Sequence, residues 1–534
     1  MRRLFILLIA SLLTGIVFAQ EAKTMYVMKG GKATYEIPVA DIDSIIFYDP
    51  EIGPNGLTAV EVVSAIRAGW NLGNTLDATG GSASSTVLQL ETLWIKTQTT
   101  KANVDALKDA GFNAIRIPVS WAKCADANYI IRADWMARVK EIVDYAVAND
   151  MYILLNTHHD EDLFKFMNAD VDKSLIAFRK IWEQIAEAFK NYDEKLIFEG
   201  LNEPRTKGSS KEWNGGTAEE HNNLNTYYQV FVDAVRASGG NNKKRILMVN
   251  TYAASAEAIA INALKIPNDI IKDKIIVSIH AYTPYNFALN TNAAYNTWDK
   301  NKTADTDPIK TPLDRAYNTF VSKGIPVIFG EFGAMNKNNV DARAEWAKYY
   351  VDYAHSKGIP CVWWDNGAVS GSGEKFGLLD RNTNIFIFPA IVESLTGVTV
   401  AGPDPSITIF KLNPNPPYGW QNLYESNWYG NKITEGDKMT FTYAFKSDVA
   451  MDYLEIALID NSSGAPGWWA ELSAFVKIKE NIVANTEYSG TVVLTATKSA
   501  SGTSAAANKV AFATNTTPTS GPLLTFSTFS IVKN

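Results

Sequence analysis

The sequence is poor in cysteine and has no excess of basic residues. It contains two cysteines in 534 residues, Cys124 and Cys361. Two such distant thiols do not resemble the framework of a disulfide-rich fold, so we expect both to be small buried side chains. Lys and Arg number 50 against 57 Asp and Glu, which gives a net charge of -7. A negative chain offers a polyanion no general attraction, which argues against nucleic acid as a partner.

Long hydrophobic runs are also scarce. One lies at the N-terminus, where residues 1–20 read MRRLFILLIASLLTGIVFAQ, with two arginines, a short apolar run and the small residues Val17 and Ala19. This pattern predicts a secretory signal peptide over residues 1–19, and therefore a secreted or periplasmic protein. No later run reaches the roughly 20 apolar residues that a membrane helix needs, so no membrane span is expected.

The chain is long enough for more than one domain, and its pattern changes along its length. Residues 20–54 alternate apolar and polar side chains around Gly30 and Gly31, which predicts a β-hairpin. Residues 55–400 alternate short apolar runs with amphipathic segments, as repeated βα units do. After a linker at 401–405, residues 406–534 are rich in Thr, Ser, Val and aromatics. This last region predicts an all-β, sandwich-like module and a candidate carbohydrate-binding module, with an aromatic platform drawn from Trp420, Trp428, Trp468 and Trp469.

The 55–400 region predicts an α/β fold, a closed (β/α)8 TIM barrel. Its eight candidate strands lie at 68–74, 112–119, 152–159, 196–204, 245–252, 275–282, 326–333 and 360–367. An open doubly wound sheet is the rival architecture, but no G-x-G-x-x-G turn follows the first strand, and the strand count favours closure.

Polar and aromatic side chains collect at the C-terminal ends of these strands, where a barrel of this type carries its active site. They are Asn71, Asn74, Arg116, His158, His159, Asn202, Glu203, His280, Tyr282, Glu331, Trp364 and Asp365. Glu203 follows the fourth strand and Glu331 ends the seventh, so their carboxylates are expected to face each other across one cleft.

Two facing carboxylates suit the cleavage of a glycosidic bond, in which one protonates the leaving oxygen and the other attacks the sugar. Asn202 can hydrogen-bond a sugar 2-hydroxyl, and Arg116 is expected to keep Glu331 anionic and nucleophilic. The charge of Glu331 and partial burial are expected to raise the pKa of Glu203, which suits an acid. A carboxyl separation of about 5 to 5.5 Å would give retention of anomeric configuration.

A metal-dependent hydrolase is the rival mechanism, because His158, His159 and His280 could be metal ligands. Successive residues of a strand point to opposite faces, so His158 and His159 are not expected to share one metal ion. The sequence therefore predicts neither a metal nor a cofactor. A secreted polysaccharide-binding protein without activity is a further alternative, against which the intact Glu203 and Glu331 argue.

The motifs GWNLGNTLDA, GFNAIRIPVSW, LLNTHHD, LNEP, IHAYTPY, FGEFG and WWDNG, in this order, resemble those of glycoside hydrolase family 5, especially its subfamily 4. The resemblance covers about residues 60–395. It implies a retaining endo-β-1,4-glucanase of clan A, with Glu203 as acid/base and Glu331 as nucleophile. It also implies a catalytic subsite containing Arg116, His158, Asn202, His280, Tyr282 and Trp364.

The resemblance leaves several choices open. His159 fits its motif as well as His158 does, and Trp363 fits as well as Trp364. The implied substrate is a β-glucan polysaccharide, namely a cellulose-type glucan, xyloglucan or mixed-linkage β-glucan. An endo-mannanase or a xylanase of the same fold is the alternative. The expected oligomeric state is a monomer.

Overall fold

The computed structural model describes residues 24–42, 56–82, 84–403, 408–411, 421–422, 433–460, 470–499, 508–514 and 522–533. The predicted signal peptide and the four candidate platform tryptophans of the C-terminal region lie outside these residues. The chain divides into two compact units, Met1–Thr58 and Ala59–Asn534.

The first unit contains an antiparallel hairpin of strands β1 (Thr24–Lys29) and β2 (Lys32–Pro38). Its turn is formed by Gly30 and Gly31, whose φ angles are 57° and 77°. Side chains rarely tolerate this left-handed backbone, so two glycines are what such a tight turn requires.

The second unit contains a closed barrel of eight strands, with each strand paired to the next along the chain and the last strand paired to the first. All pairs around the ring are parallel. The predicted TIM barrel is therefore confirmed. Its strands are β3 (Gly69–Leu72), β4 (Ala114–Ile117), β5 (Tyr152–Asn156), β6 (Leu196–Glu199), β7 (Leu247–Ser255), β8 (Ile275–His280), β9 (Val327–Phe332) and β10 (Cys361–Asp365).

Helices surround the barrel and cover its strands. They are α1 (Ala59–Ala65), α2 (Val87–Glu91), α3 (Lys101–Asp109), α4 (Ala133–Ala148), α5 (Val171–Phe189), α6 (Ala218–Ala237), α7 (Ala258–Ala263), α8 (Tyr285–Ala288), α9 (Thr303–Thr319), α10 (Val340–Ser356) and α11 (Pro389–Thr396). In α5 the buried residues Phe178, Ile181, Trp182 and Ile185 recur at steps of three and four, so one face of the helix packs on the barrel. None of the helices in the described ranges is long and apolar enough to cross a membrane.

Local signals fix where several helices begin. Before α6, the Thr217 side chain accepts a hydrogen bond from the Glu220 amide, and the Glu220 carboxylate accepts one from the Thr217 amide. This reciprocal capping box satisfies amide groups that a helix start would leave unpaired, and loss of such a cap costs about 1 kcal/mol.

The barrel core is continuous and contains both cysteines. Cys124 and Cys361 are buried and unpaired by disulfide, as the sequence predicts. A separate core lies in the C-terminal region and includes Phe441, Leu454 and Phe512. The two largest of these clusters in the described residues share no member, since one lies between 68 and 395 and the other between 433 and 526.

The described residues of the C-terminal region form β-strands and no helix, as predicted. One sheet has the order β13-β21-β15-β19, and the other has the order β14-β20-β16-β17 with β18 also paired to β16. Both sheets contribute to the second core, which is the arrangement of a sandwich. The strands are β13 (Thr408–Lys411), β14 (Gln421–Asn422), β15 (Lys438–Ser447), β16 (Met451–Asp460), β17 (Ala470–Glu471), β18 (Val476–Ile482), β19 (Tyr488–Thr495), β20 (Asn508–Ala513) and β21 (Leu523–Lys533); the short pair β11 (Leu379–Asp380) and β12 (Ile385–Phe386) precedes α11.

Candidate active site

The two candidate catalytic carboxylates meet at the C-terminal end of the barrel. Glu203 lies in the loop after β6, and Glu331 lies in β9. One carboxylate oxygen of each, together with a ring nitrogen of His280, lie within 4.8 Å of one another. An approach this close is compatible with a retaining glycosidase, whose carboxyl groups are about 5 to 5.5 Å apart, and is shorter than the roughly 6.5 to 9.5 Å typical of an inverting enzyme.

Arg116, on β4, binds both Glu331 and a second buried carboxylate, Glu199. Its Nη1 donates to Glu331 Oε1 at 2.7 Å, and its Nε donates to Glu199 Oε2 at 2.6 Å. The remaining donors bind Asn202 Oδ1 at 2.7 Å and Asn71 Oδ1 at 3.0 Å. Burial lowers the pKa of Arg116, but the charges of Glu199 and Glu331 more than offset this and raise it above its ordinary value. Arg116 is therefore a fixed cation behind the nucleophile candidate.

Asn71 supports Arg116 from the adjacent strand. Its side chain is fully buried, and its amide nitrogen donates to the backbone carbonyls of Gly330, Val362 and Trp363. Both ends of the amide thus bind protein groups. The structure places Asn71 behind the guanidinium rather than at the cleft surface.

Glu199 is a site residue that the sequence reasoning did not single out. It is fully buried, and its carboxylate accepts hydrogen bonds from Arg116, from Asn156 at 3.0 Å and from Asn250 at 2.9 Å. A buried carboxylate requires such partners. The available signal was its position inside the apolar strand LIFE, where an acidic residue is out of place unless another strand supplies a cation.

Glu331 is held as an acceptor from two sides. Besides Arg116, the Tyr282 hydroxyl donates to Glu331 Oε2 at 2.8 Å. Burial and the charge of Glu331 raise the pKa of Tyr282 well above its ordinary value, so this hydroxyl keeps its proton. These two hydrogen bonds orient the Glu331 carboxylate, as a nucleophile requires.

Glu203 has a different environment. Its Oε1 lies 3.0 Å from His280 Nδ1, and its Oε2 lies 3.8 Å from Arg205 Nη1. Burial raises the pKa of Glu203, but the hydrogen bond from His280 and the positive charges of Arg205 and His159 lower it to a net value below the ordinary one. The expected rise in this pKa is therefore wrong for the free protein, because the sequence argument counted Glu331 and burial but not these basic neighbours.

His158 and Trp364 pack against each other. Their rings are stacked with centroids 5.8 Å apart and an interplanar angle of 1°. Burial and neighbouring positive charges lower the pKa of His158 well below its usual value, so the ring is neutral. Asn156 Nδ2 can only donate to His158 Nδ1, at 3.1 Å, which leaves the proton of the neutral ring on Nε2.

The neighbours Trp363 and Trp364 have different surroundings. Trp363 belongs to the main barrel core, and its Nε1 donates to the Phe376 carbonyl. Trp364 instead belongs to a small cluster with Met335 and Phe376 and faces His158. The His159 ring packs edge-on against His158, at a centroid distance of 4.5 Å, and also contacts Trp94 and Glu161.

His159 is polarised by carboxylates. Burial lowers its pKa, but the hydrogen bond with Glu161 and the charges of Asp77 and Glu161 outweigh burial and raise it. His159 therefore binds a proton more readily than an ordinary histidine, whereas its neighbour His158 is neutral.

His158 and His159 do not point apart, so the prediction made from strand alternation is wrong. One ligand atom from each, with one from Asp77, lie within 4.8 Å of one another. Strand β5 ends at Asn156, so the alternation of a strand does not govern these two residues. However, the Asp77 carboxylate accepts hydrogen bonds from the Asn74 and Thr75 amides, and His158 Nδ1 accepts one from Asn156. Several of the atoms that could bind a metal ion are therefore already hydrogen-bonded.

We expect hydrolysis to be independent of metal ions. Dialysis against EDTA followed by metal-free buffer should change the initial rate on a soluble substrate by less than about twofold, because two carboxylates suffice for this chemistry. Loss of activity on dialysis, with recovery on adding Zn²⁺ or another transition metal, would contradict the expectation. A parallel sample dialysed without chelator controls for loss of protein.

The comparisons with known proteins agree on one family. Residues 76–370 match the family model described as cellulase, glycosyl hydrolase family 5. Endoglucanase A of Clostridium longisporum is 44% identical over 364 residues, which cover 66% of this chain and 69% of that protein. The solved structure of a GH5-4 broad specificity endoglucanase from Ruminococcus champanellensis, with bound cellotriose, is 46% identical with a TM-score of 0.62 and covers 64% of this chain and 98% of that one. A xyloglucan-specific endo-β-1,4-glucanase from a metagenomic library, in complex with cellotriose, is 42% identical with a TM-score of 0.60 and covers 64% of this chain and 98% of that one.

Proposed function

Because this chain belongs to glycoside hydrolase family 5, we propose that it is a retaining endo-β-1,4-glucanase that cleaves β-glucan backbones by double displacement. The observation that carries the proposal is the pair Glu203 and Glu331, with carboxylate oxygens within 4.8 Å and different hydrogen-bond partners. Arg116 and Tyr282 orient the Glu331 carboxylate, which suits attack. His280 orients Glu203, which suits proton transfer.

In the first step, Glu331 attacks the anomeric carbon while Glu203 gives its proton to the glycosidic oxygen. The carbon–oxygen bond breaks, the leaving sugar departs with a hydroxyl group, and the remaining sugar forms an ester with Glu331. Asn202, held by Arg116, is placed to hydrogen-bond the sugar 2-hydroxyl. Trp364 and His158 supply the wall against which this sugar ring packs.

In the second step, Glu203 takes a proton from water, and the resulting hydroxide equivalent attacks the same carbon. The ester breaks and Glu331 returns as a carboxylate, so two inversions give net retention. Ester formation removes the negative charge of Glu331, which lowers the proton affinity of Glu203 at the moment when it must act as a base.

The substrate class follows from the relatives. One is described as a broad specificity endoglucanase and another as xyloglucan-specific, and both were solved with cellotriose. These descriptions support a β-1,4-linked glucose backbone as the substrate here, in a cellulose-type glucan, xyloglucan or mixed-linkage β-glucan.

An activity panel tests this function. The purified protein is expected to hydrolyse carboxymethyl cellulose, xyloglucan or barley β-glucan with an early fall in viscosity, as internal cleavage gives. Mannan and xylan should be cleaved far more slowly. Proton NMR of the first product from a cello-oligosaccharide should show the β-anomer before mutarotation. Preference for mannan or xylan, or an α-anomer as first product, would overturn the proposal.

Secretion is part of the same proposal, since polymeric glucans must be met outside the cell. It is supported by the signal-peptide pattern of residues 1–19. N-terminal sequencing of exported protein should begin near Gln20. Exported protein that still begins at Met1 would contradict this assignment.

The C-terminal β-region is proposed to bind sugar or to pack as an accessory module, without a catalytic role. Its hydrophobic core is separate from that of the barrel, and the relatives that cover 64% of this chain are themselves covered to 98%. A chain ending at residue 403 should therefore hydrolyse small soluble cello-oligosaccharides within about threefold of the full-length rate, since its barrel core is intact. A shortened chain that has native circular dichroism but no activity would contradict this expectation.

A further inference from the structure

Two buried polar atoms of strand β8 have no hydrogen-bond partner among the described residues. They are the hydroxyl oxygen of Ser278 and the ring nitrogen Nε2 of His280. Ser278 is fully buried, and the His280 side chain is only 3% exposed. Buried polar groups nearly always bind another protein group or an ordered water, because leaving them unpaired is costly. These two atoms therefore indicate a binding site for a small polar molecule.

Both atoms face the same small space inside the barrel. Residues two apart on a strand project from one face of the sheet, and Ser278 and His280 are such a pair. A side chain at Gly330, on the neighbouring strand β9, would place its Cβ 2.6 Å from Ser278 Oγ and 3.2 Å from His280 Nε2. Although they lie this close to one point, the two atoms do not hydrogen-bond each other. A molecule that bridges them fits this arrangement.

A third atom of this kind belongs to the adjacent strand β7. Asn250 pairs in register with Ser278, so the two side chains project from the same face of the sheet. Its Nδ2 donates to Glu199 Oε1 at 2.9 Å, whereas its Oδ1 has no partner within the described part of the chain. The amide cannot be reversed, because its oxygen would then face the Glu199 carboxylate. Asn250 therefore offers an unused acceptor beside Ser278.

One water molecule among these three residues would satisfy all three atoms. It would accept a hydrogen bond from the Ser278 hydroxyl and donate to Asn250 Oδ1 and His280 Nε2, and about three hydrogen bonds are usual for a buried water. In this arrangement Nε2 is an acceptor, so the single proton of the neutral imidazole is on Nδ1. His280 Nδ1 lies 3.0 Å from Glu203 Oε1, to which it can then donate.

We propose that Ser278 is a positioning residue for the acid/base Glu203, acting through one buried water and the tautomer of His280. The inference rests on the proposed glucanase function. With its proton on Nδ1, His280 donates to Glu203 Oε1 and leaves Oε2 to carry the proton that the glycosidic oxygen receives. With its proton on Nε2, His280 would instead accept the Glu203 proton and hold it away from the substrate.

The kinetic test compares two substrates that differ in their need for an acid. Ser278→Ala is expected to lower kcat/KM on cellohexaose by about tenfold, the scale of one lost hydrogen bond, because the leaving sugar needs the Glu203 proton. On 2,4-dinitrophenyl β-cellobioside, whose phenolate leaves without a proton, kcat/KM should change by less than about twofold. Ser278→Cys nearly keeps the volume of serine but is a weak hydrogen-bonding group, so it should resemble Ser278→Ala. Ser174→Ala alters a buried serine of α5 and is the matched control, expected to equal the wild type on both substrates.

Two measurements on the full-length protein report the tautomer and the water without any assay of activity. NMR spectra that correlate the ring nitrogens and ring protons of isotope-labelled histidine distinguish the tautomers, and His280→Gln identifies the signal among the five histidines. Neutral His280 should carry its proton on Nδ1 in the wild type and shift toward Nε2 in Ser278→Ala. A crystal structure of the wild type should show a water that binds Ser278 Oγ, Asn250 Oδ1 and His280 Nε2.

Several results would overturn this role of Ser278. Equal losses on both substrates, or full activity of Ser278→Cys, would make Ser278 a packing residue. No loss of cellohexaose activity in Ser278→Ala, an Nε2-protonated His280 in the wild type, or a crystal structure without the bridging water would each reject the inference. If the wild type hydrolysed no β-glucan, the proposed function would fail, while the tautomer and the water would still decide whether Ser278 positions His280.

Discussion

Glu331→Ala is expected to abolish turnover of β-glucan, with a fall in kcat of at least about 10⁵-fold, the scale seen when an enzyme loses its nucleophile. Removal of the Glu331 carboxylate leaves space for a small anion next to the anomeric carbon. The variant also keeps Glu203 as a proton donor. Added azide should therefore restore part of the rate on dinitrophenyl cellobioside. Because azide would attack once, from the side that Glu331 occupies, the product should be the α-glycosyl azide.

The Glu331→Ala result needs a control for folding, since Glu331 also pairs with buried Arg116. Glu199 remains as a partner for that cation, so we expect the variant to fold with native circular dichroism. Glu345→Ala, which alters an exposed glutamate on α10, should keep the wild-type rate. A β-glycosyl azide from Glu331→Ala, or a residual rate above about 1% on polysaccharide, would assign the nucleophile elsewhere.

Glu203→Ala is expected to act selectively according to the leaving group. On β-glucan, kcat/KM should fall by about 10² to 10⁴-fold, the usual contribution of a general acid. On dinitrophenyl cellobioside, whose phenolate leaves without a proton, ester formation should continue at a rate close to that of the wild type. Azide can attack the resulting ester without a base, so it should accelerate turnover and give the β-glycosyl azide. An α-azide, or equal losses on the two substrates, would contradict the acid/base role.

The dependence of kcat/KM on pH should also report the acid role of Glu203. For the wild type, kcat/KM on β-glucan should fall as pH rises through the pKa of Glu203, because only the protonated acid can serve the first step. His280, Arg205 and His159 lower this pKa, so the fall should begin on the acidic side of neutrality. The groups around Glu203 also include Glu331, Tyr282 and Glu161, and the observed limb belongs to the coupled set. In Glu203→Ala, measured on dinitrophenyl cellobioside, this alkaline limb should be absent.

Much of the fold could be predicted from the sequence because the relevant signals are local. Each barrel strand is a short apolar run, and the polar residue that follows it marks the catalytic end. Glu203 and Glu331 could be found for this reason, although 128 residues separate them in the numbering. The closed order of strands then followed from their count and from the parallel topology.

The electrostatics could not be predicted in the same way. Glu199 is 83 residues from Arg116, and their contact depends on the registers of β4, β5 and β6. Arg205 reaches Glu161 and Glu212 through loop conformations that no periodicity encodes. These cations and carboxylates decide whether the pKa of Glu203 rises or falls. The choice between Trp363 and Trp364 could not be made from the sequence either, because it depends on which of the two side chains belongs to the main barrel core.

The two separate hydrophobic clusters have a consequence for how this protein loses its structure. A chain whose barrel and β-sandwich cores share no residue has no requirement to unfold in one cooperative step. Differential scanning calorimetry should resolve two endotherms, and the midpoint from one optical probe would describe one core only. Ten of the 14 tryptophans lie between residues 70 and 364, so tryptophan fluorescence would mainly follow the catalytic part. Loss of activity on heating should therefore coincide with the fluorescence transition, whether or not the β-sandwich has already unfolded.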